Sequence, residues 1–256
     1  MRLSISYRNL LFTVSILCLA SLKLFAASAE MSYEKANRFY QLQNFDSAFM
    51  YYDSLIKEGF REKEIFYNIG NCYYKKTQTA RAILFYERAL RMDPFDEDSK
   101  FNLKIAQLNV IDKMDAVPEI FYDRWLNTLS SLINTDVWAK CLTLCTWLFF
   151  LSASAFVVSV HVKKTFFVST VFFVLLSLIC WFFTFTSQRD TMNKKEGIIM
   201  SSSAYVKSSP GENNTDLFLL HEGTKVSMLD SFDQWIKIRV TNGSIGWILR
   251  KDVEEI

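Results

Sequence analysis

Tyr33, Asn37 and Tyr40 return thirty-four residues later as Tyr67, Asn71 and Tyr74. A carboxamide both donates and accepts, so asparagines paired in this way can hydrogen-bond a peptide backbone, and the tyrosines add flat apolar area with a polar tip. A second aromatic set, Tyr205, Trp235 and Trp247, stands near the C-terminus. This is the chemistry of recognition. Catalysis has little to work with. His161 and His221 are the only histidines, and His221 has no cysteine or acidic partner at catalytic spacing. No nucleophile–base pair, metal constellation, phosphate loop or paired carboxylate cluster appears in the soluble segments, so neither an enzymatic activity nor a cofactor is expected. Of the five cysteines, Cys18, Cys141, Cys145 and Cys180 lie in apolar stretches and only Cys72 in a soluble one. That leaves no C-x-x-C pair for zinc or thiol exchange. Cys18 follows Ile16-Leu17 without the small residues of a lipoprotein cleavage site. For Trp235 and Trp247 the competing reading is burial in a core, and an alternating strand favours that reading for Trp235.

What must position these residues divides by composition. Half of the residues are hydrophobic and the mean hydropathy is +0.10, as suits a chain part membrane and part soluble. A net charge of +2 argues against general nucleic-acid binding. Two runs, Cys141 to Val162 and Thr165 to Thr186, contain no Asp, Glu, Lys or Arg. Each is twenty-two residues long, roughly 33 Å of helix, which crosses a hydrocarbon core. Only Lys163-Lys164 separates them, so the helices form an antiparallel hairpin and the flanking segments share one side of the membrane. Lysines in a short loop mark the cytoplasmic side. The N-terminus agrees: Arg2 and Arg8, an apolar Leu10–Leu22, and Ala27-Ser28-Ala29 make a signal peptide, or, with Lys23 interrupting, an uncleaved anchor. The hairpin has no internal ionisable group besides His161 at its edge and is crowded with phenylalanine, which reads as an anchor rather than a conduit.

Ahead of the hairpin, Ala36 and Gly70, Phe39 and Tyr73, Ala48 and Ala82, Tyr52 and Tyr86 also stand thirty-four apart. That period marks stacked helix–turn–helix units. Lys63 to Asp96, with Phe66, Ile69, Gly70, Tyr73, Ala82, Tyr86, Ala89 and Pro94, closely resembles the tetratricopeptide (TPR) repeat. Residues 29–62 are a more degenerate copy, as terminal repeats commonly are. A third amphipathic helix, Phe95 to about Lys113, is expected to cap the open end through Phe101, Leu103, Ile105, Ala106, Leu108 and Ile111. Such a thin solenoid calls for help from the membrane, a self-contact or a partner. The resemblance implies that the inner face of the first helices, carrying Tyr33, Asn37, Tyr40, Tyr67, Asn71 and Tyr74, binds extended peptide; the alternative is that these are consensus residues kept for folding. Tyr33 and Asp98 stand where a terminal-carboxylate clamp would need cations.

Glu119 to Ile133 places Phe121, Trp125, Leu129, Leu132 and Ile133 near one helical face, either an interfacial helix in the headgroup region or a continuation of the cap. Past Arg189 the period changes. Tyr205–Lys207, Leu217–Leu220, Thr224–Asp230, Trp235–Thr241 and Ser244–Leu249 read as short strands, and Asn242-Gly243 as a two-residue hairpin turn with both residues at positive φ. YVKSSP (Tyr205–Pro210), LHEGTKV (Leu220–Val226), Trp235 and GWI (Gly246–Ile248) resemble the bacterial SH3-like domain. Domains of that family bind peptides or cell-wall stem peptides, or serve as docking modules, with Tyr205, Trp235 and Trp247 as candidate contacts.

The expected fold is thus multidomain: an all-α TPR solenoid, a two-helix transmembrane hairpin and an all-β SH3-like barrel. The segments are a signal peptide or anchor at 1–29, the TPR region with its cap at 30–113, a linker with an interfacial helix at 114–137, transmembrane helices at 138–162 and 165–187 around a cytoplasmic loop at 163–164, and the SH3-like domain at 188–256. This order resembles the BatE-type proteins of the Bacteroides aerotolerance operon. The resemblance implies a multi-pass inner-membrane adaptor with periplasmic modules, working beside von Willebrand A-domain membrane proteins and a MoxR-type ATPase in stress tolerance or envelope assembly. The alternative is a peptidoglycan-binding anchor acting through the SH3-like domain.

Overall fold

A computed structural model describes residues 28–113, 135–158, 162–193 and 195–256. The expected signal segment, the helix at 119–133 and His161 lie outside the described residues. The architecture is multidomain: TPR helices, two apolar helices and an antiparallel β-domain.

The helical unit comprises α1 (28–41), α2 (Phe45–Lys57), α3 (Lys63–Lys75), α4 (Thr79–Met92) and α5 (Glu97–Gln107). The thirty-four-residue period extends to the backbone of the turns. Gln43 and Thr77, equivalent in the two repeats, both adopt φ of 58°. At each, the amide three residues after the helix folds back: Asn44 N–H donates to Phe39 O and Gln78 N–H to Tyr73 O. These left-handed caps satisfy helix-end carbonyls without a glycine. Asn44 and Asp96 start α2 and α5 by accepting from the amides of Ser47 and Ser99, at 3.1 and 2.9 Å. Ala36, Ala48, Gly70 and Ala82 are buried, as are Tyr52, Tyr73 and Tyr86, and Gly70 lies against the Tyr86 ring. Phe49, Tyr73 and Phe85 form a run of rings at 5.2 and 5.5 Å. Lys63 bonds to both Asp93 and Asp96, at 2.7 and 2.8 Å, joining the start of the second repeat to its end. α5 is shorter than expected, because a turn at 108–109 stops it after Gln107. Ser99, Leu103 and Ala106 form its buried face, while Phe101, Leu108 and Ile111 are exposed.

Two long helices follow, α6 (Thr135–Val158) and α7 (Lys163–Asn193). Within them Val137–Val158 and Lys163–Thr186 have mean hydropathies of 2.0 and 2.5, yet only 11% and 6% of their most apolar stretches are buried. A core helix of a soluble domain would be mostly covered. Trp138 stacks on Phe183 at 4.8 Å, Ser152 bonds to Thr170 at 3.0 Å, and Phe156 meets Phe167 at 6.0 Å, as an antiparallel pair requires. Lys163 and Lys164 are not the connecting loop. They form the first turn of α7, where Phe166 N–H already donates to Val162 O at 3.3 Å.

The last unit is a seven-stranded antiparallel sheet of order β3-β2-β6-β5-β4-β1-β7. Its strands are β1 (Glu196–Ile199), β2 (Ala204–Lys207), β3 (Asp216–Leu220), β4 (Lys225–Phe232), β5 (Trp235–Val240), β6 (Ile245–Leu249) and β7 (Val253–Glu255). The core inside the curl includes Ile199, Val206, Leu220, Val226, Ile236, Ile238, Val240 and Ile248. Register shifts at Val206/Lys207 and between Met228 and Asp230 add curvature. A Cβ on Gly246 would stand 2.9 Å from the Lys207 carbonyl, which is why glycine opens the GWI triplet. The Asn-Gly turn differs from expectation. It is a three-residue loop, Thr241 to Gly243, closed by Gly243 N–H to Val240 O at 2.8 Å and Val240 N–H to Ser244 O at 2.9 Å. Gly243 has φ of 86°, whereas Asn242 is not at positive φ, because its side chain instead accepts from Ser244 N–H at 3.0 Å. A turn followed by a left-handed glycine matches strand twist as well as the two-residue type.

Candidate functional site

Tyr33, Asn37 and Tyr40 on α1 and Tyr67, Asn71 and Tyr74 on α3 are all half-buried, and the repeat sets them in two parallel rows. Their hydrogen bonds run inward. Tyr86 donates to Asn71 Oδ1 at 2.8 Å, and Tyr52 donates equivalently to Asn37 Oδ1. Asn71 Oδ1 also accepts from Asn102 Nδ2 at 2.9 Å. The tyrosines are tied across repeats: Asn68 donates to Tyr33 Oη at 3.1 Å and Asn102 to Tyr67 Oη at 3.0 Å. Burial pushes up the hydroxyls of Tyr33, Tyr40, Tyr52 and Tyr86, so each stays a protonated donor. The carboxamide oxygens read as peptide acceptors are therefore engaged within the fold. What the rows present outward is tyrosine surface.

The wiring identifies residues that sequence reasoning passed over. Asn68 and Asn102 are one repeat apart and do the same work, so α5 continues the register of α1 and α3. Their common interval was the available signal. Phe101, Ile105 and Leu108 accordingly take the places of Tyr67, Asn71 and Tyr74, and Phe101 and Leu108 are 65% and 67% exposed. The inner face changes from tyrosine and asparagine to bare apolar side chains along its length.

On the β-domain, Lys207 pairs with Trp247 and Trp247 with Lys237 across β2, β6 and β5. Asp216 and Asp230 flank this row on β3 and β4. Lys207 is held by Asp216 at 2.7 Å, and the Lys237 ammonium lies 5.9 Å from the centre of the Trp247 ring. Trp247 is half-buried and Tyr205, two residues before Lys207 on the same face, is 60% exposed. The surface thus combines two aromatic rings with two cations. Trp235 does not join it. It shares the Lys237 face of β5, opposite Ile236 and Ile238, but at 4% exposed it is buried and offers a ligand no surface. Among the described residues no three His, Cys, Asp or Glu side chains are placed to hold a metal ion.

Two family models match the chain. One described as the tetratricopeptide repeat covers residues 63–96, and one described as the bacterial SH3 domain covers residues 202–254. No curated protein matches the sequence. The matched segments are interaction modules, a type associated with protein partners for the repeat and consistent with peptidoglycan for the SH3 domain.

Proposed function

We propose that this protein is a membrane-anchored adaptor in which α6 and α7 cross the bilayer and the TPR and SH3-like modules meet partners on the extracytoplasmic side. The observation that carries the reading is the position of two uncovered apolar helices between two interaction modules. Joining two modules in one chain makes the second binding event intramolecular, which raises avidity. Lys163 and Lys164, in the first turn of α7, favour a cytoplasmic position for that end of the helix. The segment boundaries given above, apart from the loop at 163–164, and a signal peptide or anchor before them belong to the same proposal. Partners are membrane or periplasmic proteins; by the BatE-type resemblance they include von Willebrand A-domain proteins and a MoxR-type ATPase system in stress tolerance or envelope assembly. Recognition needs no catalytic step. The test is crosslinking in cells followed by detergent capture of the full chain. Specific proteins lost on Phe101→Asp or Trp247→Ala support the adaptor, and capture unchanged by either variant refutes it.

A second reading, a wall-binding anchor, is favoured by the Tyr205, Lys207, Trp247 and Lys237 surface on a bacterial SH3 domain. Co-sedimentation of detergent-solubilised protein with purified sacculi separates the two. Retention abolished by Trp247→Ala supports the wall.

A further inference from the structure

We propose that the β4–β5 loop of the β-domain docks on the anionic lipid headgroups of the membrane that α6 and α7 cross. The inference rests on the membrane reading of those helices, and it starts from the tether. The apolar span of α7 ends at Thr186 and the helix itself at Asn193, about 10 Å further on, roughly the depth of a headgroup layer. β1 begins at Glu196, three residues later, so the domain is held within about 11 Å of the helix end.

Strand direction selects the part that returns. β1 leads away from α7, and β4 runs antiparallel to it. Met228 N–H donates to Lys195 O at 2.7 Å, and β4 continues four residues past that bond, on its α7 side, to Phe232. Those four residues span about 13 Å, enough to match the helical stalk. Apolar groups are bare along this stretch. Phe232 is 63% exposed, and Leu229, which the register shift leaves without a partner on β5, is 41% exposed. Cations stand around them. Lys195 lies at the tether, and Arg250 N–H donates to Gln234 O at 2.8 Å, which sets Arg250 and Lys251 beside the loop. All three are exposed, and no ion pair holds them among the described residues. An open aromatic ring among unpaired cations suits an anionic bilayer surface, where the ring enters the interface and each basic residue adds attraction. Asp233 in the loop, and Asp230, which accepts from Ser231 N–H at 2.8 Å, keep the contact at headgroup depth rather than in hydrocarbon.

The test puts a photo-crosslinking side chain into the full chain, as Phe232→benzoylphenylalanine or, for comparison, Tyr205→benzoylphenylalanine. Each protein is reconstituted in vesicles of phosphatidylglycerol and phosphatidylcholine, irradiated, and digested for mass spectrometry. Lipid adducts at position 232 will exceed those at position 205 by at least about 5-fold. They will fall at least about 5-fold in phosphatidylcholine alone, and likewise when Arg250→Gln and Lys251→Gln are added. Equal yields at the two positions, or a yield at 232 indifferent to lipid charge, overturn the proposal. So does irradiation in native membranes that joins position 232 to a protein instead of lipid. Alkaline carbonate extraction of those membranes keeps the two readings distinguishable. A protein released by carbonate sinks the hairpin and this proposal together, whereas a retained protein without lipid adducts at position 232 sinks this proposal alone.

Discussion

The ring of Tyr86 lies against Gly70 so closely that a Cβ there would stand 2.6 Å from its Cδ1 and Cε1. Tyr86 is 1% exposed and its hydroxyl is held by Asn71, so the ring has nowhere to go. Gly70→Ala therefore separates α3 from α4. Overpacking of this kind costs about 1–3 kcal/mol. Cys72, buried two residues on, is a built-in reporter, since burial pushes its thiol up to about 12 and suppresses its reaction. Maleimide labelling of Cys72 in the detergent-solubilised full chain will be at least about 5-fold faster in Gly70→Ala.

Asn71 accepts from two donors, so its removal and that of Tyr86 Oη differ. Asn71→Ala leaves the buried Tyr86 hydroxyl without its acceptor, a loss of about 1–3 kcal/mol. Tyr86→Phe removes the donor and leaves Asn71 bonded to Asn102, for about 1 kcal/mol. The order of destabilisation, Asn71→Ala above Tyr86→Phe, is checked by urea titration of Cys72 labelling.

Thr77 sits at φ of 58°, where a β-branched residue is strained and glycine is not. Thr77→Gly will stabilise the repeat by about 1 kcal/mol, read as a higher urea midpoint. Gln43→Gly will do likewise in the first repeat.

Lys63 carries the pH dependence. Its bonds to Asp93 and Asp96 raise its own ammonium above the usual lysine range. The Lys63 bond, with the Phe95 amide, holds Asp93 below the usual carboxylate range. For Asp96, burial pushes up, but bonds from Lys63 and Ser99 outweigh it and the net is downward. Depressed carboxylates contribute stability that is present above the unfolded value near pH 4 and is lost as pH falls through the folded value. The raised lysine contributes stability that is present below about pH 10 and is lost as pH rises through its folded value. Lys63→Met will lower stability by about 1 kcal/mol at pH 7. The difference from wild type will shrink below pH 4, as urea midpoints across pH 3–7 will show.

On the β-domain, Trp247→Ala and Tyr205→Ala will weaken retention of partner or sacculus by about 10-fold or more, with the tail still resistant to protease. Trp235→Ala will instead loosen the tail, since emptying a buried tryptophan site costs about 3–5 kcal/mol. Limited proteolysis distinguishes the two results.

The repeat, the two apolar helices and five of the seven strands could be read in the sequence because each follows a local rule: an interval of thirty-four, an unbroken apolar run, an alternation. β1 and β7 follow none. They have four and three residues, Gly197 interrupts the first, and they exist through pairing with each other and of β1 with β4. The Asn-Gly dipeptide announced a turn but not its length, which was decided by the side chain of Asn242. At the inner face of the repeats the residue types were visible and their partners were not. Whether Asn71 faces a ligand or Tyr86 depends on how closely two helices approach, and no spacing encodes that. Alternation already favoured burial for Trp235; that Trp247 stays half-buried and open to a ligand depends on the packed sheet.

α5 opens a repeat that its own length does not complete. It repeats the asparagine tie of α3, but its outward side holds Phe101, Leu108 and Ile111, which no described residue covers. A stack that ends on such a rung still has a template for the next one. Severed from the rest of the chain, residues 28–113 would be sticky at that end and would join end to end as concentration rises.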